Sequence, residues 1–271
     1  MPDLSSLIKN ADLDGALAAA NAAVRANPGE PRHRLFLAQL NCVLSRWEKA
    51  RDQFAVYSGL ATGPDARLRA RLALTAVQCE VFRAEVFAGR RTPLFLGEPD
   101  PWIGFLSQSL RLLAEGRAAA AAQLRDQAFE SAPATPGALD NRPFAWLADA
   151  DTRLGPVLEL FMEGKYYWVP FHHIRRVAID PPADLLDLVF VPAQFKWANG
   201  GEGAGFIPVR YIPLGPPPAP ADAPRLALSR LTQWHELPEG FTTGAGQRML
   251  ATDADEIPLL DCRVIDFHPA R

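Results

Sequence analysis

The chain has 271 residues and a formal net charge of −3, with 48% hydrophobic and 22% charged residues. This composition excludes a wholly disordered chain, and the charge gives no basic footprint of the kind that nucleic-acid-binding proteins carry. No apolar run reaches the roughly 18 residues of a membrane span and the first residues do not form a secretory signal, so we expect a cytoplasmic protein without membrane insertion.

The three cysteines, Cys42, Cys79 and Cys262, are far apart, and none belongs to a CxxC pair or stands beside a histidine. This spacing favours buried free thiols in a reducing compartment over a zinc knuckle or a disulfide framework. We therefore expect neither a metal site nor a cofactor.

Composition changes near residue 140. Residues 1–140 hold 28 Ala and 9 Pro, whereas residues 141–271 hold 16 Ala and 16 Pro. Because alanine favours helices and proline disfavours them, we predict an α+β multidomain protein. An all-α domain would cover residues 1–135, and a mixed, β-rich domain with short helices would cover residues 140–271.

The front half repeats with a period of 34 residues, which is typical of tetratricopeptide helix hairpins. The recurring positions are Ala16, Ala20, Ala23 and Pro28, and one period later Ala50, Phe54, Tyr57 and Thr62. The apolar spacing predicts helices at Pro31–Leu44, Trp47–Ser58, Asp65–Ala88, Trp102–Glu115 and Arg117–Ser131. We interpret them as a short solenoid of about three irregular hairpins; an ordinary helical bundle is the alternative.

Stacked hairpins form a concave surface that can hold an extended peptide or an amphipathic helix. Helical spacing assigns six candidate partner-binding residues to this surface, which are Arg32, Leu35, Gln39, Cys42, Arg69 and Ala73. The alternative for each residue is an ordinary packed or solvated position.

In the back half we predict a helix at Gly155–Glu163, followed by a strand through Tyr166, Trp168 and Phe171. Further strands are predicted at Leu188–Val191, Phe206–Tyr211, Leu226–Thr232 and Cys262–Phe267. Turns are predicted at Asn199-Gly200-Gly201 and Glu239-Gly240, and the proline-rich segment 213–224 predicts a stiff exposed loop.

Four stretches of the back half resemble, in this order, the ImpE/TagJ family of type VI secretion accessory proteins. They are FAWLADADTRLGPVLELFMEGKYYWVPF (144–171), DLLDLVFVPAQ (184–194), GFIPVRY (205–211) and GAGQRMLATD with PLLDCRVIDF (244–267). Family members also carry a tetratricopeptide-like front, so the resemblance spans essentially the whole chain. The insertion Pro216–Pro220 departs from the pattern, and the front repeats do not align residue by residue.

The resemblance implies a non-catalytic adaptor of the contractile injection apparatus. Such an adaptor would bind the N-terminal helical region of the small sheath subunit and assist sheath handling or recycling, with the AAA+ recycling ATPase as an indirect partner. It supplies no catalytic residues, so we expect no enzyme activity.

Two other functions stay open at this stage. A hydrolase-like enzyme could use His172 or His173 with Asp180, although neighbouring residues on a strand point to opposite faces. A structural scaffold acting by self-association is the third reading.

Three further sequence patterns could indicate metal-binding, phosphate-binding or dinucleotide-binding sites, but each has a simpler structural explanation. Asp149-x-Asp151 could hold a divalent cation, but helix capping with Arg153 as ion-pair partner is favoured. The glycine-rich segment 199–205 lacks the Lys-Ser/Thr ending of a P-loop and indicates a hairpin loop. Around Gly244 to Arg248 we expect a turn in which Gln247 or Arg248 braces the backbone.

Overall fold

The computed structural model describes residues 4–268, and within this range the front half is helical. The α-helices are Leu4–Lys9 (α1), Leu13–Ala26 (α2), Pro31–Val43 (α3), Trp47–Leu60 (α4), Pro64–Phe87 (α5), Pro101–Ala114 (α6), Ala118–Ser131 (α7) and Ala223–Ala227 (α8). All five helices predicted between Pro31 and Ser131 are confirmed, with ends that differ by at most two residues.

The 34-residue repeat has a direct structural counterpart. Helix α2 begins at Leu13 and α4 begins one period later at Trp47. Ala16 and its repeat partner Ala50 are both fully buried, where small side chains let neighbouring helices approach closely. The result is three hairpins, α1–α2, α3–α4 and α6–α7, with the 24-residue α5 between the second and third.

Proline marks where helices begin. Pro31, Pro64 and Pro101 each occupy the first turn of their helix, where the missing N–H has no intrahelical partner to lose. The residue before Pro64 is Gly63 with φ of 97°, a backbone angle that glycine adopts without a steric cost.

The back half is built on β-strands. They are Leu94–Phe95 (β1), Gly137–Leu139 (β2), Arg142–Phe144 (β3), Leu147–Asp149 (β4), Val157–Met162 (β5), Lys165–Pro170 (β6), Ile174–Ile179 (β7), Phe190–Trp197 (β8), Glu202–Pro208 (β9), Thr232–Leu237 (β10), Phe241–Gly246 (β11), Met249–Thr252 (β12), Glu256–Pro258 (β13) and Val264–Phe267 (β14).

Nine of these strands form one sheet in the order β1-β6-β5-β9-β8-β7-β14-β2-β3. Neighbours are antiparallel except for β1, which pairs in parallel with β6 and comes from the loop between α5 and α6. A three-stranded sheet (β13-β12-β4) and the hairpin β10-β11 complete the back half.

The helix predicted at Gly155–Glu163 is wrong, because this segment is strand β5. Its apolar residues satisfy a helical period, but β5 is buried on both faces and therefore shows a nearly continuous apolar run. The turn after β5 explains the difference: Glu163 and Gly164 both have positive φ, 52° and 76°, which is the conformation of a tight two-residue hairpin.

The other strand predictions have mixed outcomes. The strand through Tyr166 and Trp168 is confirmed as β6, and the segment Cys262–Phe267 contains β14. Leu226–Thr232 is not a strand, since it holds the end of α8 and a turn at Ser229, and β10 begins only at Thr232. The segments Leu188–Val191 and Phe206–Tyr211 overlap β8 and β9, which extend beyond them.

One apolar core runs through both halves. It includes Phe54 and Val77 of the helices together with Phe161, Trp168 and Phe190 of the sheet. A second cluster fills the space between the large and the three-stranded sheets, with Leu158, Val177 and Leu250 at its centre. The division into domains 1–135 and 140–271 stays a prediction, but the helices pack directly against the sheet. No helix between residues 4 and 268 is long and apolar enough to cross a membrane.

Candidate functional site

The concave face predicted to bind a partner is covered by the protein's own back half. Gln39, Cys42 and Ala73 are 5%, 0% and 1% exposed. The Gln39 side-chain amide donates a hydrogen bond of 2.7 Å to Asp184, in the loop before β8. In this fold Gln39, Cys42 and Ala73 are buried in contacts within the chain, whereas the sequence placed them on an open face; their partner-binding role stays a prediction.

The other three candidate residues stay accessible. Arg32 is exposed at the start of α3, and Leu35 is half-buried against a small cluster that includes Tyr57. Arg69 is exposed and has a guanidinium nitrogen 3.8 Å from an Asp184 carboxylate oxygen. Arg32 and Leu35 lie on α3 and Arg69 lies on α5, with Asp184 of the back half beside Arg69.

An open cleft lies elsewhere on the boundary between the halves. It has a volume of about 880 Å³ and is enclosed by the α1–α2 turn, the α3–α4 turn, the proline-rich loop and α8. Its walls are mostly apolar and include Leu13, Leu44, Trp47, Ile212 and Pro218. The sequence predicted the proline-rich loop as exposed but gave no reason to join it to the helices.

The floor of the cleft carries Arg210. Its guanidinium donates hydrogen bonds to the carbonyl oxygens of Val43 (2.6 Å), Ala227 (2.9 Å) and Cys42 (3.0 Å) and contacts the Ser45 hydroxyl at 3.3 Å. These carbonyls belong to the last turns of α3 and α8, where a cation is favoured by the helix dipole. Loss of hydration lowers the pKa of Arg210 to about 10, so it is charged at neutral pH.

Arg210 has no carboxylate of its own in ion-pair contact among residues 4–268. Glu80 lies close enough to raise the pKa of Arg210 slightly against the effect of burial, but its carboxylate pairs with Arg83 at 3.0 Å. The cleft therefore combines apolar walls with a guanidinium whose hydrogen-bond partners are all neutral oxygen atoms. Asp12, Asp14 and Glu80 also line it.

Beside the cleft, a network of buried ions joins the helices to the sheets. Arg83 of α5 binds Glu159 of β5 through two hydrogen bonds of 2.6 and 2.9 Å. Arg248, between β11 and β12, pairs with both Glu159 and Asp149 of β4. Arg83 also contacts Glu80, and every member of the network is at most 5% exposed.

The pKa values within this network diverge. Burial alone would raise the pKa of Glu159, but Arg83, Arg248 and the Tyr166 hydroxyl bring it down to about 2. Burial raises the pKa of Asp149 to about 6 in spite of Arg248. A buried set of ions whose charges are paired with one another by hydrogen bonds is typical of a structural network.

Asp149 and Asp151 do not cap a helix, because no helix follows them. Asp149 lies in β4 and bonds Arg248, and its carboxylate also accepts a hydrogen bond of 3.0 Å from the Tyr211 hydroxyl. Asp151 pairs with Arg153, as predicted, and accepts a hydrogen bond from the Gly244 backbone. The predicted bracing by Arg248 and Gln247 is confirmed, since their side chains donate to the carbonyls of Pro208 and Ser229.

The hypothetical enzyme site is not formed as predicted. His172 and His173 lie in a 3-10 turn rather than on a strand, and both face Asp100, with shortest N···O distances of 3.0 and 3.5 Å. Asp180 stands beyond the opposite end of β7. Burial lowers the pKa of His172, and the neighbouring His173 acts in the same direction. Sequence reasoning missed Asp100, which is separated from the histidines by more than 70 residues.

The glycine-rich segment 199–205 forms the β8–β9 hairpin, as predicted. Trp197 N–H donates to the Gly201 carbonyl, and Gly200 has φ of 87°. The segment continues directly into β9, so it forms no phosphate-binding loop of the P-loop kind.

Comparisons with known proteins give consistent results. The chain matches the family described as ImpE protein over residues 141–266. It is 44% identical over 266 residues to the type VI secretion system accessory component TagJ of Pseudomonas aeruginosa, an alignment that covers 97% of this chain and 90% of that protein. The crystal structure of protein VPA1032 from Vibrio parahaemolyticus superposes with a TM-score of 0.87 at 22% identity, covers 98% of this chain and 97% of the other, and shows the same fold.

Proposed function

Because this chain belongs to the ImpE/TagJ family and is an accessory component of type VI secretion, we propose that it acts as an adaptor that captures a helical segment of the small sheath subunit. It acts by binding rather than by catalysis, on the cytoplasmic side, and assists sheath handling or recycling, with the AAA+ recycling ATPase as an indirect partner. The observation that carries this proposal is the open apolar cleft between the helices and the proline-rich loop.

The chemistry of the cleft suits the apolar face of an amphipathic helix. Such helices bind by placing side chains spaced three or four residues apart into a hydrophobic groove. Burying two or three apolar anchors contributes about 1.5–3 kcal/mol each, and after the cost of association a micromolar affinity is expected. Trp47 supplies a large aromatic wall, and Arg210 on the floor suits a carboxylate or a helix C-terminus of the captured segment.

Direct binding of a peptide tests the proposal. A synthetic peptide with the N-terminal helical sequence of the small sheath subunit from the same secretion system is titrated into the full chain by calorimetry. One peptide per chain with a dissociation constant on the order of 10 µM is expected. Absence of binding at about 100 µM peptide would contradict the proposed partner.

The location is tested by filling the cleft. Ala223, at the start of α8, lines the cleft, and Ala223→Trp places an indole in it. We expect at least roughly tenfold weaker binding, a difference of about 1.4 kcal/mol. Ala119→Trp on the exposed side of α7 adds the same side chain far from the cleft and is expected to bind as the parent does.

The accessible residues Arg32, Leu35 and Arg69 define a second candidate surface for the same partner. Leu68 and Leu72 lie one helical turn apart on α5 and are 45% and 43% exposed, which supports an apolar contact near Arg69. Arg69→Glu discriminates the two surfaces: it weakens binding only if the partner contacts α5. We favour the cleft because its apolar walls converge.

A further inference from the structure

The corner where the β6–β7 connection meets the start of α6 gathers two histidines and an aspartate. Each of the three side chains offers one possible ligand atom, and these atoms all lie within 4.8 Å of one another. No other group of three or more His, Cys, Asp or Glu residues meets this criterion among residues 4–268. Asp100 precedes α6, and His172 and His173 form the 3-10 turn after β6. We propose that Asp100, His172 and His173 bind a divalent transition-metal ion of the Zn²⁺ type.

The distances match a coordination shell. Asp100 Oδ2 lies 3.0 Å from His172 Nε2 and 3.5 Å from His173 Nε2. Ligand atoms bound at about 2.0 Å to a tetrahedral ion stand roughly 3.3 Å apart. Two imidazoles and one carboxylate are a ligand set for such ions in which the remaining positions are open to water or to another ligand.

The hydrogen bonding of His173 prepares it for this role. Its Nδ1 lies 3.2 Å from the Leu96 carbonyl oxygen, an atom that can only accept, so Nδ1 carries the proton. The lone pair then resides on Nε2, the nitrogen that faces Asp100. A metal-bound histidine is typically held by such a hydrogen bond from its other ring nitrogen to a backbone carbonyl.

Asp100 behaves unlike an ordinary helix cap. It occupies the N-cap position of α6, yet its side chain accepts no hydrogen bond from the free N–H groups of the first turn. Its Oδ2 is buried, makes no hydrogen bond of ordinary geometry with the described residues, and has His172 Nε2 at 3.0 Å and His173 Nε2 at 3.5 Å as its nearest nitrogen neighbours. A carboxylate oxygen placed between two imidazole nitrogens in this way is positioned to share a metal ion with them.

The surroundings favour a site that an ion can reach. The three side chains are 27% to 35% exposed, and the Trp102 ring stands 6.2 Å from the His172 ring on the inner side. The cysteines do not compete, since all three are buried and burial raises the pKa of each thiol to about 12. A bound ion would hold the segment carrying β1 and Asp100 to the edge of the large sheet.

Metal titration of the whole chain tests the site. The tag-free protein is stripped with EDTA, dialysed and titrated with ZnCl₂ by calorimetry, and with CoCl₂ while visible absorption is recorded. We expect one ion per chain, a micromolar or tighter dissociation constant, and a Co²⁺ d–d band. Saturating Zn²⁺ should raise the melting temperature by about 5 °C.

Single variants assign the ligands. Asp100→Asn, His172→Gln and His173→Gln are each expected to weaken Zn²⁺ binding at least roughly tenfold, and to fold like the parent in EDTA by circular dichroism. His235→Gln, on strand β10 outside the large sheet, serves as the control and should bind like the parent. Absence of binding to the parent at about 100 µM Zn²⁺ overturns the proposal, as does parent-like binding by the three folded variants.

Discussion

Two stretches of the boundary between the helices and the sheets are built on opposite principles. Along α5 the boundary is filled by buried ions, with Arg83, Glu159 and Arg248 in direct contact. Near the α3–α4 turn it is left open as an apolar cleft with one guanidinium on its floor. The buried ions hold the helices and the sheets together, whereas the open cleft is available to bind a partner.

Arg210 belongs to both stretches. Its backbone carbonyl accepts a hydrogen bond of 3.0 Å from Arg83, and its side chain reaches the carbonyls that end α3. Substitutions in the ion network and substitutions in the cleft can therefore be compared for their effects on stability and on binding. The predictions below separate the effects on stability from the effects on binding.

Breaking the ion network should have the largest effect. Arg248→Met leaves the buried carboxylates of Asp149 and Glu159 without the cation that they share. Because removing one partner of a buried ion pair leaves an uncompensated charge, we expect the free energy of unfolding to fall by roughly 3–5 kcal/mol. Denaturant titration followed by circular dichroism measures it. Arg90→Met removes an exposed, solvent-screened pair with Glu85 and should leave the free energy of unfolding nearly unchanged.

The pH dependence of stability reports mainly on Glu159, with a contribution from Asp149, whose pKa the Glu159 charge raises. Its folded-state pKa of about 2 lies below the ordinary 4.5, so ionised Glu159 contributes stability above pH 4.5 that is lost as the pH falls toward 2. Glu159→Gln lacks this titration. The stability difference between parent and variant should therefore shrink by about 3 kcal/mol across that window, measured by denaturant titrations at several pH values. A difference that is constant with pH would contradict the lowered pKa.

Arg210→Met tests the floor of the cleft. The variant loses hydrogen bonds to three carbonyls, but water can reach the cleft and rehydrate them, so the expected loss is only about 2 kcal/mol. Peptide binding should weaken as well, since the only guanidinium lining the cleft among the described residues is gone. Unchanged affinity in a folded variant would show that the captured segment does not reach the floor.

The smallest effect concerns the covered face of α3. Gln39→Ala removes its hydrogen bond to Asp184 and should lower the free energy of unfolding by about 1 kcal/mol. A double-mutant cycle with Asp184→Ala should give a coupling energy of similar size. A zero coupling energy would mean that this face is not held by the back half in solution.

Local patterns were sufficient to predict the helices, and long-range contacts were not predictable. The 34-residue offset between Ala16 and Ala50 predicts two equivalent packing positions, and both are buried. Strand β5 was missed because a strand buried on both faces has a nearly continuous apolar run, which does not show the alternation of polar and apolar residues that identifies a strand. Helical spacing identifies one face of α3 but not what covers it, so the burial of Gln39 beside Asp184 was beyond prediction.

The same limit applies to the candidate sites. The doublet His172-His173 is visible in the sequence, but its carboxylate partner Asp100 is brought to it only by the parallel pairing of β1 with β6. The ion pairs that join the helices to the sheets or one strand to another link residues 76 to 99 positions apart. The local pairs Asp151–Arg153 and Glu80–Arg83 were within reach of sequence spacing, and only the first was predicted.

Methyl NMR of the full chain, titrated with the sheath-subunit helix peptide, tests the central claim most directly. Saturable shifts at Leu13, Leu44 and Ile212, with none at Leu68 and Leu72, are expected if the open cleft is the receptor. Shifts confined to Leu68 and Leu72 would place the partner on α5 and contradict the account.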